Sequence, residues 1–227
     1  MLKTTLKALL FTFVIFLLAG IISHSIGKEN ANITTPILEI LLIIFSLGLI
    51  KFQKIDFQIK LPEFKKALKV FFISFFTVII VLIVTQLTIK LFGGTVNKEM
   101  HPVMKVMSPL QVFLNVLILA SIGEEMIFRG YLLNALKPLK HIHFGKLNLS
   151  LFISALAFAA VHLGLLRAGA SPKYVGTIFV STLVIGYLAG YFQQKYNNTA
   201  YAIITHMGAN LIGLVMMILM HIASTQM

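Results

Sequence analysis

The chain contains no cysteine and few charged residues. Without cysteine it can form no disulfide, thiolate metal site or cysteine nucleophile. Charged residues make up only 11% of its 227 residues, and 58% are hydrophobic. A typical soluble domain is about 25% charged. Several apolar runs also approach the length of about 20 residues that crosses a bilayer. The composition therefore predicts an integral membrane protein.

Apolar runs predict an all-α, polytopic membrane helix bundle with about seven transmembrane helices. The predicted spans cover residues of about 6–26, 36–50, 69–91, 109–136, 149–166, 174–193 and 199–222. The first run resembles a signal peptide, but it is longer than a usual apolar region and no small-x-small cleavage site follows it. We therefore expect an uncleaved first span and a single domain over 1–227.

The net charge of +12 comes from lysines in short loops between the apolar runs. This pattern favours contact with anionic lipid headgroups over nucleic-acid binding, for which no soluble basic domain is available. Twelve basic residues fall on the side of the N-terminus: Lys3, Lys7, Lys51, Lys54, Lys60, Lys65, Lys66, Lys69, Lys137, Lys140, Lys146 and Lys195. Six fall on the other side: Lys28, Lys90, Lys98, Lys105, Arg167 and Lys173. Because cytoplasmic loops are richer in lysine and arginine, we expect a cytoplasmic N-terminus and an outside C-terminus. An eighth span would reverse the latter.

Polar residues inside three of the spans carry the functional signal. Such residues usually face the bundle interior and mark function. They are Glu124, Glu125 and Arg129 in the fourth span, His162 in the fifth, and His206 with Asn210 in the seventh. The pairs 125/129 and 206/210 are spaced i,i+4, so each pair shares a helix face. One cavity shared by the three helices would lower the free-energy cost of placing all these polar groups inside the membrane.

The spacing suggests a different part for each group. Glu125 can pair with Arg129, whereas Glu124 points about 100° away around the helix and suits a general base. His162 could share a water with Glu124. His206 and Asn210 could donate hydrogen bonds to an oxygen that becomes negative. These are the parts of a water-activating hydrolase, although each histidine or ion pair taken alone could be interhelical packing.

Other polar residues have structural interpretations. Glu39, with Pro36 in the first turn of the second span, is expected to complement the helix dipole. Phe158 is expected to serve packing. The remaining histidines fall at span ends or in loops and are also interpreted as structural: His24, His101, His141, His143 and His221.

Elimination leaves a glutamate-based hydrolase. The only aspartate, Asp56, lies in a lysine-rich loop, which excludes a two-aspartate mechanism. No H-E-x-x-H zinc motif occurs, and Ser171 lies in a predicted loop. Three motifs remain, in order and on separate spans: EEMIFR at 124–129, FAAVH at 158–162 and HMGAN at 206–210. Together they resemble the CPBP intramembrane proteases, which include CAAX-processing endopeptidases and the bacteriocin-processing or immunity (Abi) proteins. The resemblance covers about residues 105–222, and residues 1–104 carry no recognised motif.

The resemblance implies a role for each motif residue. Glu124 would activate the attacking water with help from His162, while His206 and Asn210 would stabilise the oxyanion. Glu125 and Arg129 would support the site. No cofactor is expected; the alternative is a zinc ion held by Glu124, His162 and His206. Counted from the span ends, Glu124 and His162 lie roughly 20 Å deep and His206 only about 10 Å, which fits one site poorly.

The resulting hypothesis is an intramembrane endopeptidase that acts on a peptide or lipidated-peptide substrate. The composition is typical of a bacterial cell membrane protein, for which peptide processing or bacteriocin self-immunity is expected. Two alternatives remain, a catalytically silent membrane scaffold and a proton-coupled transporter that uses the glutamates as a relay.

Overall fold

The structure is a computed structural model that describes residues 2–28, 30–95, 99–144 and 147–225. It is 82% helical, and seven of its described helices are long and apolar enough to cross a membrane. We label them α1 (Leu2–Gly27), α2 (Ala31–Phe52), α3 (Phe64–Leu91), α4 (Pro109–Leu133), α5 (Leu149–Val161), α6 (Pro172–Tyr196) and α7 (Ala200–Thr225). A 3₁₀ turn extends α5 to Leu166. The prediction of an all-α membrane bundle with about seven spans is confirmed.

Helix α2 begins five residues earlier than the sequence predicted. The Asn30 side chain caps it by accepting the backbone N–H of Asn32. Pro36 therefore lies inside the helix, and Glu39 is buried two turns from its start. The interpretation of Glu39 as a complement to the helix dipole is wrong. The predicted span began with the apolar run and so left out the polar first turn, which the Asn30 cap stabilises.

Helix α4 changes its hydrogen-bonding pattern along its length. It is α-helical over Pro109–Val112 and Ser121–Glu125, and π-helical over Phe113–Ala120 and Met126–Leu133. Segments of π-helix are rare and often lie at functional sites. Every residue of Met126–Leu133 is buried, so this half of α4 is the centre of the bundle.

The other helices pack around α4 and against one another. Helix α1 packs on α2, which packs on α4, while α6 packs on both α5 and α7. Helix α3 packs on α7, where the hydroxyl of Ser74 donates to the carbonyl of Thr205 and Gly208 lies against the backbone of Phe71. These contacts place the polar residues of α4, α5 and α7 around one interior volume.

The loops gather at the two ends of the bundle. At one end, Lys137 forms an ion pair with Asp56 at 2.6 Å, and Asn198 hydrogen-bonds both backbone groups of Lys60. At the other end, Ser171 donates to the carboxylate of Glu99. Alternate loops thus share an end, as the spans predicted. Lys98 and Lys146 of the charge count lie outside the described residues, and the membrane orientation remains a prediction.

A small hairpin between α4 and α5 was not predicted. Strand β1 (His143–Phe144) pairs antiparallel with β2 (Leu147–Asn148). Asn148 then caps α5 by accepting the backbone N–H of Leu151. The hairpin therefore determines where α5 begins.

Candidate active site

Four of the predicted site residues line one cavity of about 620 Å³ inside the bundle. Glu124 reaches it from α4, His162 from the end of α5, and His206 and Asn210 from α7. Most of the other lining side chains are apolar, including Val78 on α3. The structure thus brings together side chains that lie up to 86 residues apart in the chain, from 124 to 210.

Glu125 and Arg129 form a buried ion pair behind the cavity. Nη1 of Arg129 donates to Oε1 of Glu125 at 2.8 Å, and Nη2 donates to the carbonyl of Gly186 at 2.7 Å. The guanidinium carbon lies 4.7 Å from the centre of the Phe158 ring. Both side chains are at most 1% exposed. Removing a charge from water costs several kcal/mol, which is about as much as an ion pair gains. A buried charge therefore needs hydrogen-bond partners as well as an opposite charge.

His206 lies between the two adjacent glutamates. Its Nδ1 is 3.0 Å from Oε1 of Glu125, and its Nε2 is 3.8 Å from Oε2 of Glu124. Because a carboxylate oxygen accepts, Nδ1 of His206 carries the hydrogen of the shorter contact. Glu125 therefore orients His206 as well as pairing with Arg129. The contact also shows that the predicted difference in depth between Glu124 and His206 is wrong, since their side chains meet.

Asn210 is held by α4. Its Nδ2 donates to the carbonyl of Val116 at 3.0 Å and contacts the hydroxyl oxygen of Ser121 at 3.2 Å. The sequence paired Asn210 with His206 as an oxyanion donor. In the structure the amide nitrogen is already engaged, so donation to a substrate requires one of these bonds to give way. The oxyanion role of Asn210 stays a prediction.

His162 ends the regular part of α5. Its Nδ1 is 2.9 Å from the carbonyl of Phe158, which can only accept, so Nδ1 donates. In the neutral ring Nε2 then carries no hydrogen and can accept one from a water. The Phe158 ring meets His162 edge-on at 5.0 Å and His206 at 5.4 Å. Phe158 therefore packs between the two histidines, in agreement with its predicted packing role.

Two cavity residues were missed by the sequence analysis. Glu39 lines the cavity from α2 and is only 3% exposed. An acidic residue inside the apolar run ILEILLII was the signal that could have revealed it. His101 also lines the cavity, and its Nδ1 accepts the backbone N–H of Val103 at 3.3 Å. Burial and the neighbouring His162 lower the pKa of His101 to about 4. No local pattern in the sequence distinguishes His101 from a loop histidine.

The zinc alternative requires Glu124, His162 and His206 to hold one ion together. In the described part of the chain, no three histidine, aspartate or glutamate side chains are arranged to hold a metal ion. Glu124, His162 and His206 all line the cavity. The expectation of no cofactor and the zinc alternative both stay predictions, and no step is derived through a metal.

Comparison with known proteins identifies the segment that contains the site. Residues 106–212 match the sequence model of the family described as "Rce1-like: Type II CAAX prenyl endopeptidase Rce1-like". All six predicted site residues, from Glu124 to Asn210, fall within this segment. Searches of curated proteins and of solved structures found no significant match. Residues 106–212 of this integral membrane protein are therefore similar to the Rce1-like CAAX protease family.

Proposed function

We propose that this chain is an intramembrane endopeptidase in which Glu124 activates a water molecule for attack on a peptide bond. The match of residues 106–212 to the Rce1-like family supports an intramembrane protease. The observation that carries the proposal is the state of Glu124. Its side chain lines the cavity at 15% exposure, together with His162 and His206. A carboxylate that lines a cavity beside two imidazoles is placed to accept a proton from a water held there.

The proposed step uses the groups around Glu124. A water gives one proton to the Glu124 carboxylate, and its oxygen bonds to the carbonyl carbon of the substrate. His162 holds the water through its free Nε2. His206, with a hydrogen on both ring nitrogens, donates from Nε2 to the developing oxyanion while its Nδ1 donates to Glu125. The proton then passes from Glu124 to the nitrogen as the C–N bond breaks. Base catalysis of this kind contributes about 10²–10⁴-fold.

Glu125 and Arg129 support the step without touching the water. Oε1 of Glu125 accepts from both Nδ1 of His206 and Nη1 of Arg129. Correct placement of a donor matters because a misplacement of about 1 Å can cost 10²-fold in rate. The ion pair thus holds His206 in position.

The substrate is proposed to be a peptide or lipidated peptide that reaches the site from the membrane. The cavity is lined mainly by apolar side chains with a few polar groups, as expected of a site for an apolar or lipid-bearing segment. A peptide precursor or leader in a bacterial cell membrane, or a step in bacteriocin self-immunity, fits this chemistry.

The test compares peptide termini in membranes that contain either the wild type or Glu124→Gln at matched expression. Each sample is prepared with and without a strong chelator. We expect new termini with the wild type alone, at least 10²-fold depleted in Glu124→Gln and unaffected by chelation. Glu63→Gln is the control, because Glu63 is an exposed acid far along the chain from the site.

Other outcomes lead to other assignments. Loss of cleavage on chelation would move the mechanism to a metal site. Identical termini in all samples, with a cellular phenotype that survives Glu124→Gln, would identify a scaffold.

A further inference from the structure

Glu39 lines the cavity, as Glu99 and Glu124 do, and the motifs of the family segment do not include it. It lies on α2, outside residues 106–212, and is 3% exposed. Glu39 lines the same cavity as Glu124 and His206. It therefore reaches the site from a wall of the bundle that contributes no other acid.

The carboxyl group of Glu39 is buried without compensation. Among the described residues, Oε2 of Glu39 has no hydrogen-bond partner, and no ion pair includes the side chain. The charged group that interacts electrostatically with Glu39 is Glu124, and two carboxylates repel each other. Glu125, by contrast, has both Arg129 and His206. A buried polar atom without a hydrogen-bond partner is rare in native proteins, so such an atom suggests that a bound molecule supplies the partner.

Close packing sets the position of Glu39 relative to the catalytic turn. A Cβ atom at Gly123 would overlap both Oε2 and the backbone carbonyl oxygen of Glu39. The backbones of α2 and α4 therefore meet at this point, and only a glycine fits. Since Gly123 directly precedes Glu124, the free oxygen of Glu39 lies beside the turn that presents the base.

A peptide inside the membrane brings the partner that Glu39 lacks. Its backbone N–H groups have no water there, and each unsatisfied group costs several kcal/mol. The cavity wall is mainly apolar, so it offers few acceptors. The donors for the carbonyl side of the substrate lie on α7, whereas Glu39 offers an acceptor from α2.

We propose that Glu39 is a substrate-binding residue whose carboxyl group accepts a backbone N–H that flanks the peptide bond attacked by Glu124. The inference rests on the proposed function and adds a residue from the N-terminal half to the site. It requires no proton transfer by Glu39. Its role is to hold the peptide backbone so that the carbonyl carbon faces the water.

The experiment uses purified protein and a fluorogenic peptide that spans the cleavage site found by terminus mapping. The variants are Glu39→Leu, Glu39→Gln and Glu124→Gln, with Glu63→Gln as the control. Glu39→Leu removes the acceptor, so we expect kcat/KM to fall by about 10- to 100-fold. Glu39→Gln keeps an acceptor oxygen of similar reach and should retain more activity than Glu39→Leu.

A second readout separates binding from a structural role. A series of peptides replaces one flanking N–H at a time with an ester oxygen. At one position the ester should slow the wild type about as much as Glu39→Leu does, and it should cause little further loss in that variant. Thermal unfolding should show Glu39→Leu more stable than the wild type, by about 2 °C or more, because an unpartnered buried acid is removed.

The outcomes distinguish the two proposals. If the wild type cleaves no peptide in either experiment, the proposed function is overturned and the role of Glu39 falls with it. If the wild type and Glu39→Leu cleave equally while Glu124→Gln does not, only the inference on Glu39 is overturned. Equal ester effects in the wild type and Glu39→Leu at every position overturn it as well. If Glu39→Leu does not fold, the same ester comparison is made with Glu39→Gln, for which equal effects at every position again overturn it.

Discussion

At the scale of single residues, the main feature is a chain of contacts from Arg129 through Glu125 and His206 to Glu124. Each link is between 2.8 and 3.8 Å long, and each side chain is at most 15% exposed. In a low-dielectric interior such a network is strong when every member is satisfied and costly when one is removed. A change at Arg129 should therefore act on the stability of the fold and on the placement of His206 together.

Removal of Arg129 should be strongly destabilising. Arg129→Gln leaves Glu125 buried without its cation, so we expect the free energy of unfolding to fall by about 3–5 kcal/mol. The measurement is denaturant unfolding in detergent micelles. Lys137→Gln is the matched control, because it breaks the exposed ion pair with Asp56; such pairs contribute at most about 1 kcal/mol. Similar losses in the two variants would contradict the burial argument.

His101 should make stability depend on pH. The pKa of His101 is lowered to about 4 in the fold, from an ordinary value of 6.5. The unfolded chain therefore takes up a proton at a higher pH than the folded protein, and the free energy of unfolding falls as the pH drops from 6.5 towards 4. At pH 5 the loss relative to pH 7 should be about 2 kcal/mol.

The measurement is thermal unfolding at pH 7 and pH 5 for the wild type and His101→Phe. The variant should lose less stability on acidification, because it has no imidazole to protonate. His141→Phe is the control, since His141 is exposed in the loop after α4. Equal pH dependence of the wild type and His101→Phe would contradict the argument.

At the scale of the helices, the site depends on close approaches at glycines. Helix α6 passes α4 and α5 at Gly186, whose carbonyl accepts from Arg129. A Cβ atom there would lie 2.9 Å from Nη2 of Arg129 and 3.0 Å from the Phe158 ring. The third contact, at 3.2 Å, is with the backbone of Ala155 on α5, which cannot rotate away. The crossing of α6 at Gly186 therefore positions both the Arg129–Glu125 ion pair and the Phe158 ring.

An alanine at this crossing should disturb the site. We expect Gly186→Ala to cost about 1–3 kcal/mol through overpacking and to reduce cleavage by shifting Arg129. Gly176→Ala is a matched control on the same helix, because nothing lies within 4 Å of the added Cβ. It should be neutral or stabilise α6 by up to about 1 kcal/mol. The readouts are thermal unfolding and cleavage, and equal behaviour of the two variants would contradict the close packing at Gly186.

Helix α4 also separates the roles of two adjacent glutamates. Glu124 lines the cavity, while Glu125 faces Arg129 and His206. Consecutive residues of an α-helix point about 100° apart, so one turn can present a base to the cavity and a support behind it. This separation follows from the helix alone and was predicted from the sequence.

At the scale of the whole molecule, the alternation of seven spans determines which loops share a side of the membrane. The loops with most lysines lie at one end of the bundle, joined by the contacts of Asp56 with Lys137 and of Lys60 with Asn198. Charge bias then predicts that this end is cytoplasmic.

Single-cysteine labelling tests that orientation, because the chain has no cysteine of its own. Lys65 and Lys105 are both exposed and lie at opposite ends of the bundle. We expect an impermeant maleimide to label Lys105→Cys in intact cells and Lys65→Cys only after permeabilisation. The reverse pattern would place the N-terminus outside. Labelling of both in intact cells would contradict the alternation of the spans.

The sequence alone determined the number of spans, the fold class and the residues of the three motifs. These features are local, because a span is a run of apolar residues and a motif is a pair one helical turn apart. The predicted start of α2 was wrong by five residues, because a polar turn capped by Asn30 does not resemble a membrane helix.

Only the tertiary structure decided which of these residues meet and what else joins them. The contact of His206 with Glu125, the engagement of Asn210 by α4, and the places of Glu39 and His101 at the cavity all join residues from different helices or loops. Such contacts depend on how each helix is rotated and tilted against its neighbours. That arrangement results from side-chain packing across the whole bundle, for which no short stretch of sequence contains the information.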